Sequence, residues 1–210
     1  MNEALLTEYE ARYRNILVPI ARALELLLVD HCTTAPALPH IDRIAARAKR
    51  PDSFASKAAK QNDDGTLYYE HPLIEIQDQV AARIIVFYTD DVEPTCALIR
   101  RYFTYAELQT KEPKSEWEFG YFGRHFILTL PADAVPAQID REAAPPLFEL
   151  QVRTLFQHAW SEASHDPIYK PHVHPTAEQK RLCAFASAQA WGADRAFFQL
   201  RRNRTATDPE

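Results

Sequence analysis

Glycine is scarce in this chain, four among 210 residues, against fifteen prolines. Its loops are therefore punctuated by proline, and each glycine is a position to inspect individually. Cysteine is scarcer: Cys32, Cys96 and Cys183 are odd in number and widely spaced. That argues against a disulfide frame or a zinc cluster and reads as reduced thiols, most simply buried, of a cytoplasmic protein. Residues 1–31 hold no run of about 18 apolar residues, and the opening acids Glu3, Glu8 and Glu10 are unlike the basic start of a signal peptide. A soluble chain with no membrane contact is expected. No repeat or low-complexity segment breaks it. A net charge of −5 gives no global reason to expect nucleic-acid binding, although a local excess can override the average.

What is present suffices for one well-buried core: 46% of residues are hydrophobic, which argues against wholesale disorder. From Leu6 through Tyr9, Tyr13, Ile16, Ile20, Leu24 and Leu27 the apolar residues step by three or four, predicting an amphipathic helix that Pro19 kinks or divides. A second helical region is expected from near Asp42, and residues 61–75 read as a loop. Arg83–Tyr88 is a β-branched and aromatic run that predicts a buried strand. A helix from about Pro94 towards Phe103, a short strand within Tyr105–Lys114, a strand over His125–Leu130 and a connecting loop over Ala132–Pro146 follow. A last helix is expected from about Thr176 to Arg201, with Leu182, Phe185, Ala186, Phe197 and Leu200 on its buried side.

The stretch Phe148–Asp166 carries the densest chemistry. Read as a strand, its first half puts Glu149, Gln151 and Arg153 on one face and Phe148, Leu150 and Val152 on the other. Thr154 then suits the N-cap of a helix that turns His158, Glu162 and His165 along one ridge and Leu155, Ala159 and Ala163 inward. Imidazole and carboxylate at that spacing can ligate zinc or iron, or brace the strand. Upstream, Arg43, Arg47, Lys49, Arg50, Lys57 and Lys60 are opposed only by Asp52. With Pro51 able to start a helix and Ser53 in its first turn, this segment reads either as a polyphosphate site at a helix entrance or as a solvated basic face. Asp78, just before a strand, is either a magnesium ligand or a cap. Tyr121, in the Gly-flanked turn F-G-Y-F-G-R, either stacks a planar base or simply packs.

Four short signals stand in one order: R-x-K-x-x-x-S-x-x-x-K at 47–57, D-x-x-A-x-R-I-I at 78–85, G-Y-x-x-x-H at 120–125 and E-x-Q-x-R-T at 149–154. Followed by Q-H-A-W-S-E and by Tyr169 and Lys170, they resemble the synthetase domain of the RelA/SpoT family, in particular its small alarmone synthetases, over roughly residues 40–200. The resemblance implies a nucleotidyltransferase-like α/β (α+β) fold, a mixed sheet of about five strands flanked by helices. It implies one domain over 1–204: an N-terminal helical region (1–40), a catalytic core (41–170) and a C-terminal helix (176–204), with 205–210 frayed.

The implied activity is transfer of the β,γ-pyrophosphate of ATP to a ribose 3′-hydroxyl of GDP or GTP. By the same resemblance Arg47 and Arg83 would sandwich the adenine, and Lys49, Ser53 and Lys57 would contact the ATP phosphates. Asp78 and Glu149 would hold Mg²⁺ or, for Glu149, take the acceptor proton. Tyr121 would stack on the acceptor base near His125, Arg124, Gln151 and Arg153. Two departures fall in these motifs. Ala81 stands where the family has glycine, and Phe122 and Gly123 replace an arginine and a serine, with Arg124 adding a cation just beyond. The acceptor accordingly stays open between GDP or GTP, an adenosine nucleotide and the 3′ end of tRNA. A non-catalytic nucleotide-binding module and a homo-oligomer also remain open.

Overall fold

A computed structural model describes residues 3–34, 39–111, 115, 118, 119, 123–168 and 175–207. Helix α1 (Glu3–Arg12) passes through one π-helical turn (Tyr13–Leu17) into α2 (Val18–Thr34). Pro19 has no N–H to donate and its ring crowds the preceding turn, so the ladder widens just before it: Val18 N–H donates to the Tyr13 carbonyl, five residues back. Strand β1 (Ile41–Ala48) and helix α3 (Pro51–Ala58) follow, then an irregular excursion ending in the single turn α4 (Pro72–Glu75). Next come β2 (Val80–Val86), α5 (Val92–Tyr102), β3 (Tyr105–Lys111), β4 (Gly123–Thr129), β5 (Leu147–Thr154), α6 (Leu155–Ile168) and α7 (Ala177–Thr207).

The strands form one mixed sheet in the order β1-β2-β5-β4-β3, with β2 and β5 parallel and every other pair antiparallel. The expected mixed sheet of about five strands flanked by helices is the fold observed. One face is apolar: Ala82, Ile84 and Val86 of β2, Phe148, Leu150 and Val152 of β5, and Phe126 and Leu128 of β4 are all buried. Helices α2 and α5 cover it, contributing Ile20, Leu24, Leu28, Cys96 and Ile99 to the core. The opposite face carries Arg43, Ala45 and Arg47 of β1, Arg83 of β2, His125 of β4, and Glu149, Gln151 and Arg153 of β5, brought side by side by the register. The period-two division of β5 is therefore as its sequence predicts.

Three expectations are overturned. Residues 41–48 form a strand rather than a helix. Alanine and arginine favour helix locally, but pairing with β2 overrides that preference. Glu25 of α2 reinforces this edge strand by accepting the N–H of Ala46 at 2.7 Å. On α6, Ala159 and Ala163 are exposed, while Trp160 and Ser164 are buried and Trp160 Nε1 donates to the Cys183 carbonyl. On α7, Leu182, Phe185, Ala186, Phe197 and Leu200 are all exposed, Phe185 at 61%, and the buried residues are Ser187 and Asp194. Polar contacts help to dock this helix: Thr154 Oγ1 donates to Asp194 Oδ2 at 2.8 Å, and Arg201 pairs with Asp90 and Asp91, while Phe197 stacks on Phe156 of α6 with ring centroids 5.6 Å apart.

The β5–α6 junction is closed by a capping box. Thr154 Oγ1 accepts the N–H of Gln157, and Gln157 Oε1 accepts the N–H of Thr154. Thr154 is the expected N-cap.

Leu150 is fully buried between the sheet and its helices, so Leu150→Ala is expected to cost about 2–5 kcal/mol in urea unfolding. Asp194 carries a linked pH effect. Burial pushes its carboxyl up to about 6, the Thr154 hydrogen bond only partly opposing this, and its Oδ1 lacks a partner. The folded state thus binds this proton more tightly than the unfolded one, and stability should fall as pH rises from about 4 to about 6. Asp194→Asn should flatten that slope in pH-dependent melting curves.

Candidate active site

The polar face becomes a site where β1 ends, α3 begins and the segment before β2 meets them. Pro51 opens α3 at its first position, where its missing N–H costs nothing. That start sends Lys57 back over the sheet edge. Asp78 sits in a short 3₁₀ turn (Gln77–Gln79) immediately before β2. Its two carboxylate oxygens are divided between two ammonium groups: Lys49 Nζ donates to Oδ2 at 2.7 Å and Lys57 Nζ to Oδ1 at 3.0 Å. Burial pulls the Lys57 pKa down, but the charge and hydrogen bond of Asp78, with Tyr69 and Glu149 nearby, outweigh it and leave the pKa raised. Both ammonium groups are held by one half-buried carboxylate.

Glu149 lies one strand over, beside Ala81 of β2 in the parallel register. Its Oε1 is 2.7 Å from His125 Nδ1 and accepts from Gln151 Nε2 at 2.7 Å. Burial opposes ionisation of Glu149, but the hydrogen bonds from His125 and Gln151 and the charges of His125 and Lys57 more than offset it and hold the carboxyl at about 2. The contacts continue across the sheet: Arg153 donates to Gln151 Oε1 and, at 2.9 Å, to Ser161 Oγ on α6. Gln151 and Arg153 thus extend a hydrogen-bonded row from Glu149 to α6.

Arg47 and Arg83 lie on the same face of adjacent strands, two residues out of register. Arg83 is turned towards α6, where NH1 donates to Glu162 Oε1 at 2.7 Å. Glu162 was legible in the sequence only as part of a histidine-bearing ridge; its cross-element pairing with Arg83 was not. His158, mostly buried beneath that pair, has its pKa lowered first by burial and then by Arg83. Among the described residues no group of three or more His, Cys, Asp or Glu is placed to hold a metal.

Two proposed contacts are not brought into the cluster. Ser53 sits exposed in the first turn of α3, its N–H and hydroxyl directed at Asp52. Arg124 pairs across the ladder with Val152, a residue of the apolar face, and therefore turns away from Glu149. The reason is the strict alternation of a strand: His125 faces the site, so its neighbour cannot. Tyr121 and its neighbour Phe122, like His172 and His174, lie outside the described residues, as does the side chain of His165.

A family model described as "Region found in RelA / SpoT proteins" matches residues 46–174. The small alarmone synthetase 1 from Bacillus subtilis superposes with a TM-score of 0.73 at 22% identity, covering 96% of this chain and 98% of that one. The same synthetase bound to its product pppGpp gives 0.72 at 20% identity, over 97% and 100%. A GTP pyrophosphokinase family protein from Streptococcus pneumoniae gives 0.72 at 19% identity over 100% of both chains. No curated protein matches the sequence.

The Glu149 carboxyl should titrate at about 2 in a ¹³C NMR experiment. In His125→Phe the carboxyl should move upward, because burial remains and its main compensating partner is gone. Since the folded pKa lies below the unfolded one, the stability contributed by this pair is present above about pH 4.5 and lost as pH falls towards 2. A Glu149 resonance that stays put in His125→Phe would show that the imidazole does not set this pKa.

Proposed function

The chain belongs to the RelA/SpoT family, and on that premise we propose that it transfers the β,γ-pyrophosphate of ATP to the ribose 3′-hydroxyl of GDP or GTP, releasing AMP. The observation that carries this reading is the Lys49–Asp78–Lys57 cradle beside Glu149 on the polar face. Such a transfer is chiefly a matter of alignment and charge neutralisation. The structural likeness to a small alarmone synthetase that binds pppGpp as its product supports the same reading.

The roles follow from reach and charge. Lys49 and Lys57 would pass from Asp78 to the phosphate oxygens of ATP as the nucleotide enters, exchanging one anionic partner for another. Arg83, held by Glu162, and the exposed Arg47 offer guanidinium planes on adjacent strands for the adenine. Ser53, in the first turn of α3, is within the same entrance and keeps its proposed phosphate contact by rotation away from Asp52.

The donor set suits Mg²⁺: two carboxylates, Asp78 and Glu149, both hard oxygen ligands, on a face where phosphates would complete the shell. When bound, Mg²⁺ supplies charge neutralisation of the phosphates. A carboxylate held at about 2 is a weak proton acceptor, so Glu149 is assigned to metal holding ahead of base catalysis. The acceptor oxygen attacks the β-phosphorus, the bond from that phosphorus to the α-phosphate oxygen breaks to leave AMP, and the hydroxyl proton departs to water. His125, Gln151 and Arg153 line the acceptor side, with Tyr121 assigned to the base.

A second reading keeps the donor chemistry and changes the acceptor to an adenosine nucleotide or the 3′ end of tRNA. It is favoured by the replacement of two polar residues by Phe122 and Gly123, together with the turning of Arg124 to the opposite face.

Purified protein incubated with γ-³²P-ATP, Mg²⁺ and each of GDP, GTP, ATP or deacylated tRNA should label GDP or GTP. Label on ATP or tRNA alone would replace the first reading with the second, and no label on any acceptor would leave a nucleotide-binding module. Glu149→Gln is expected to lower kcat by at least about 10²-fold while binding of a non-hydrolysable ATP analogue persists. Undiminished turnover would remove Glu149 from the mechanism.

A further inference from the structure

Helix α1 lies wholly outside the family-matched stretch, which begins at residue 46. Two of its side chains nevertheless reach the backbone beneath the site. The Tyr9 hydroxyl donates to the Lys49 carbonyl at 2.8 Å, and its fully buried ring stacks on Phe54 of α3 with centroids 3.6 Å apart and planes 6° from parallel. Burial raises the Tyr9 pKa, so the hydroxyl keeps the proton it donates. Arg12 Nε donates to Gln79 Oε1 at 3.0 Å, and Arg12 NH1 donates to the Ala143 carbonyl at 2.7 Å, on the connection leading into β5.

Gln79 is the hub of these contacts. It follows Asp78 directly and is almost completely buried. Its amide is used at both ends: Nε2 donates to the carbonyls of Leu73 and Ile76 at 2.8 and 3.0 Å, while Oε1 receives Arg12. Its own carbonyl accepts the N–H of Lys49 at 2.8 Å. The peptide groups of Lys49 are therefore held on both sides, by Gln79 and by Tyr9, and the turn presenting Asp78 is pinned by its neighbour. The Tyr9 contact thus falls on the main chain of Lys49, and the Arg12 contact with Gln79 falls immediately beside Asp78.

We propose that Tyr9, Arg12 and Gln79 are positioning residues, a clamp that sets Lys49 and Asp78 in register for the phosphates and metal of the donor. This rests on the reading of the Lys49–Asp78–Lys57 cradle as the donor site. The clamp touches neither substrate nor metal and acts through the backbone. Groups that orient metal ligands in this way usually change affinity or activity by 10- to 100-fold when removed, and small displacements of reacting groups have effects of similar size. The clamp also gives the N-terminal helix a role in the reaction that the matched core lacks by itself.

The test uses the full chain and the variants Tyr9→Phe, Arg12→Met, Arg12→Lys and Gln79→Met, with Arg14→Ala, at an exposed pair with Glu10, as the control. Tyr9→Phe keeps the ring stack and removes only the hydroxyl. Expected are a fall in kcat of about 10- to 100-fold for Arg12→Met and Gln79→Met, a smaller fall for Tyr9→Phe, and partial rescue in Arg12→Lys. The Mg²⁺ concentration for half-maximal rate should rise, the acceptor KM should hold, and hydrogen exchange at the Lys49 amide should quicken. The clamp is overturned if folded Tyr9→Phe and Gln79→Met keep wild-type kcat, Mg²⁺ dependence and exchange. Should Gln79→Met fail to fold, Tyr9→Phe decides alone. A wild-type protein that labels no acceptor would defeat the proposed function instead. The clamp would then stand or fall on Lys49 exchange and on Mg²⁺-dependent binding of a non-hydrolysable ATP analogue in the same variants.

Discussion

One half-buried carboxylate shared by two ammonium groups is the constraint around which the polar face is arranged. Asp78 could not be left in its turn without partners, because a desolvated charge is costly unless it is paired. Lys49 comes to it from just past the end of β1 and Lys57 from the last turn of α3. A strand, a helix and a 3₁₀ turn therefore converge on one point, and the core beneath them must hold that point still. The sheet does so by presenting its apolar face to α2 and α5 and leaving the other free for charge.

Charge on that face is layered rather than dispersed. Asp78 is neutralised by lysines, Glu149 by His125 and Gln151, and Arg83 by Glu162. Each pairing satisfies a charged group on the polar face. The low pKa of Glu149 belongs to this logic. A carboxylate stabilised in its ionised form is ready to coordinate a cation, and its readiness to accept a proton is correspondingly reduced.

The helices beyond the sheet have unlike attachments. The core-facing helices α2 and α5 are held by buried apolar side chains. Helix α7 is instead seated by Asp194 on the α6 cap, by Arg201 on the acids before α5 and by the stack of Phe197 on Phe156, while Leu182, Phe185 and Leu200 are exposed. A polar seat is directional, so it orients α7 against the β5–α6 junction more closely than an apolar stripe would.

Much of this was legible along the chain. Alternation over residues 148–154 separated core from chemistry because neighbouring side chains in a strand must point oppositely, and Thr154 announced a helix start through its capacity for a local hydrogen bond. Pro19 and Pro51 acted through their fixed geometry wherever they stood. What the sequence alone determined were properties that depend on near neighbours: periodicity, caps, proline breaks and the motif order that marks the family. Only tertiary structure decided that residues 41–48 are a strand, since their alanines and arginines favour helix until β2 pairs with them. It alone turned Arg124 from the site, exposed the apolar side of α7 and joined Tyr9 and Arg12 to residues 40 and 67 positions away. Those outcomes arise from contacts between distant segments, where pairing and burial outweigh local preference.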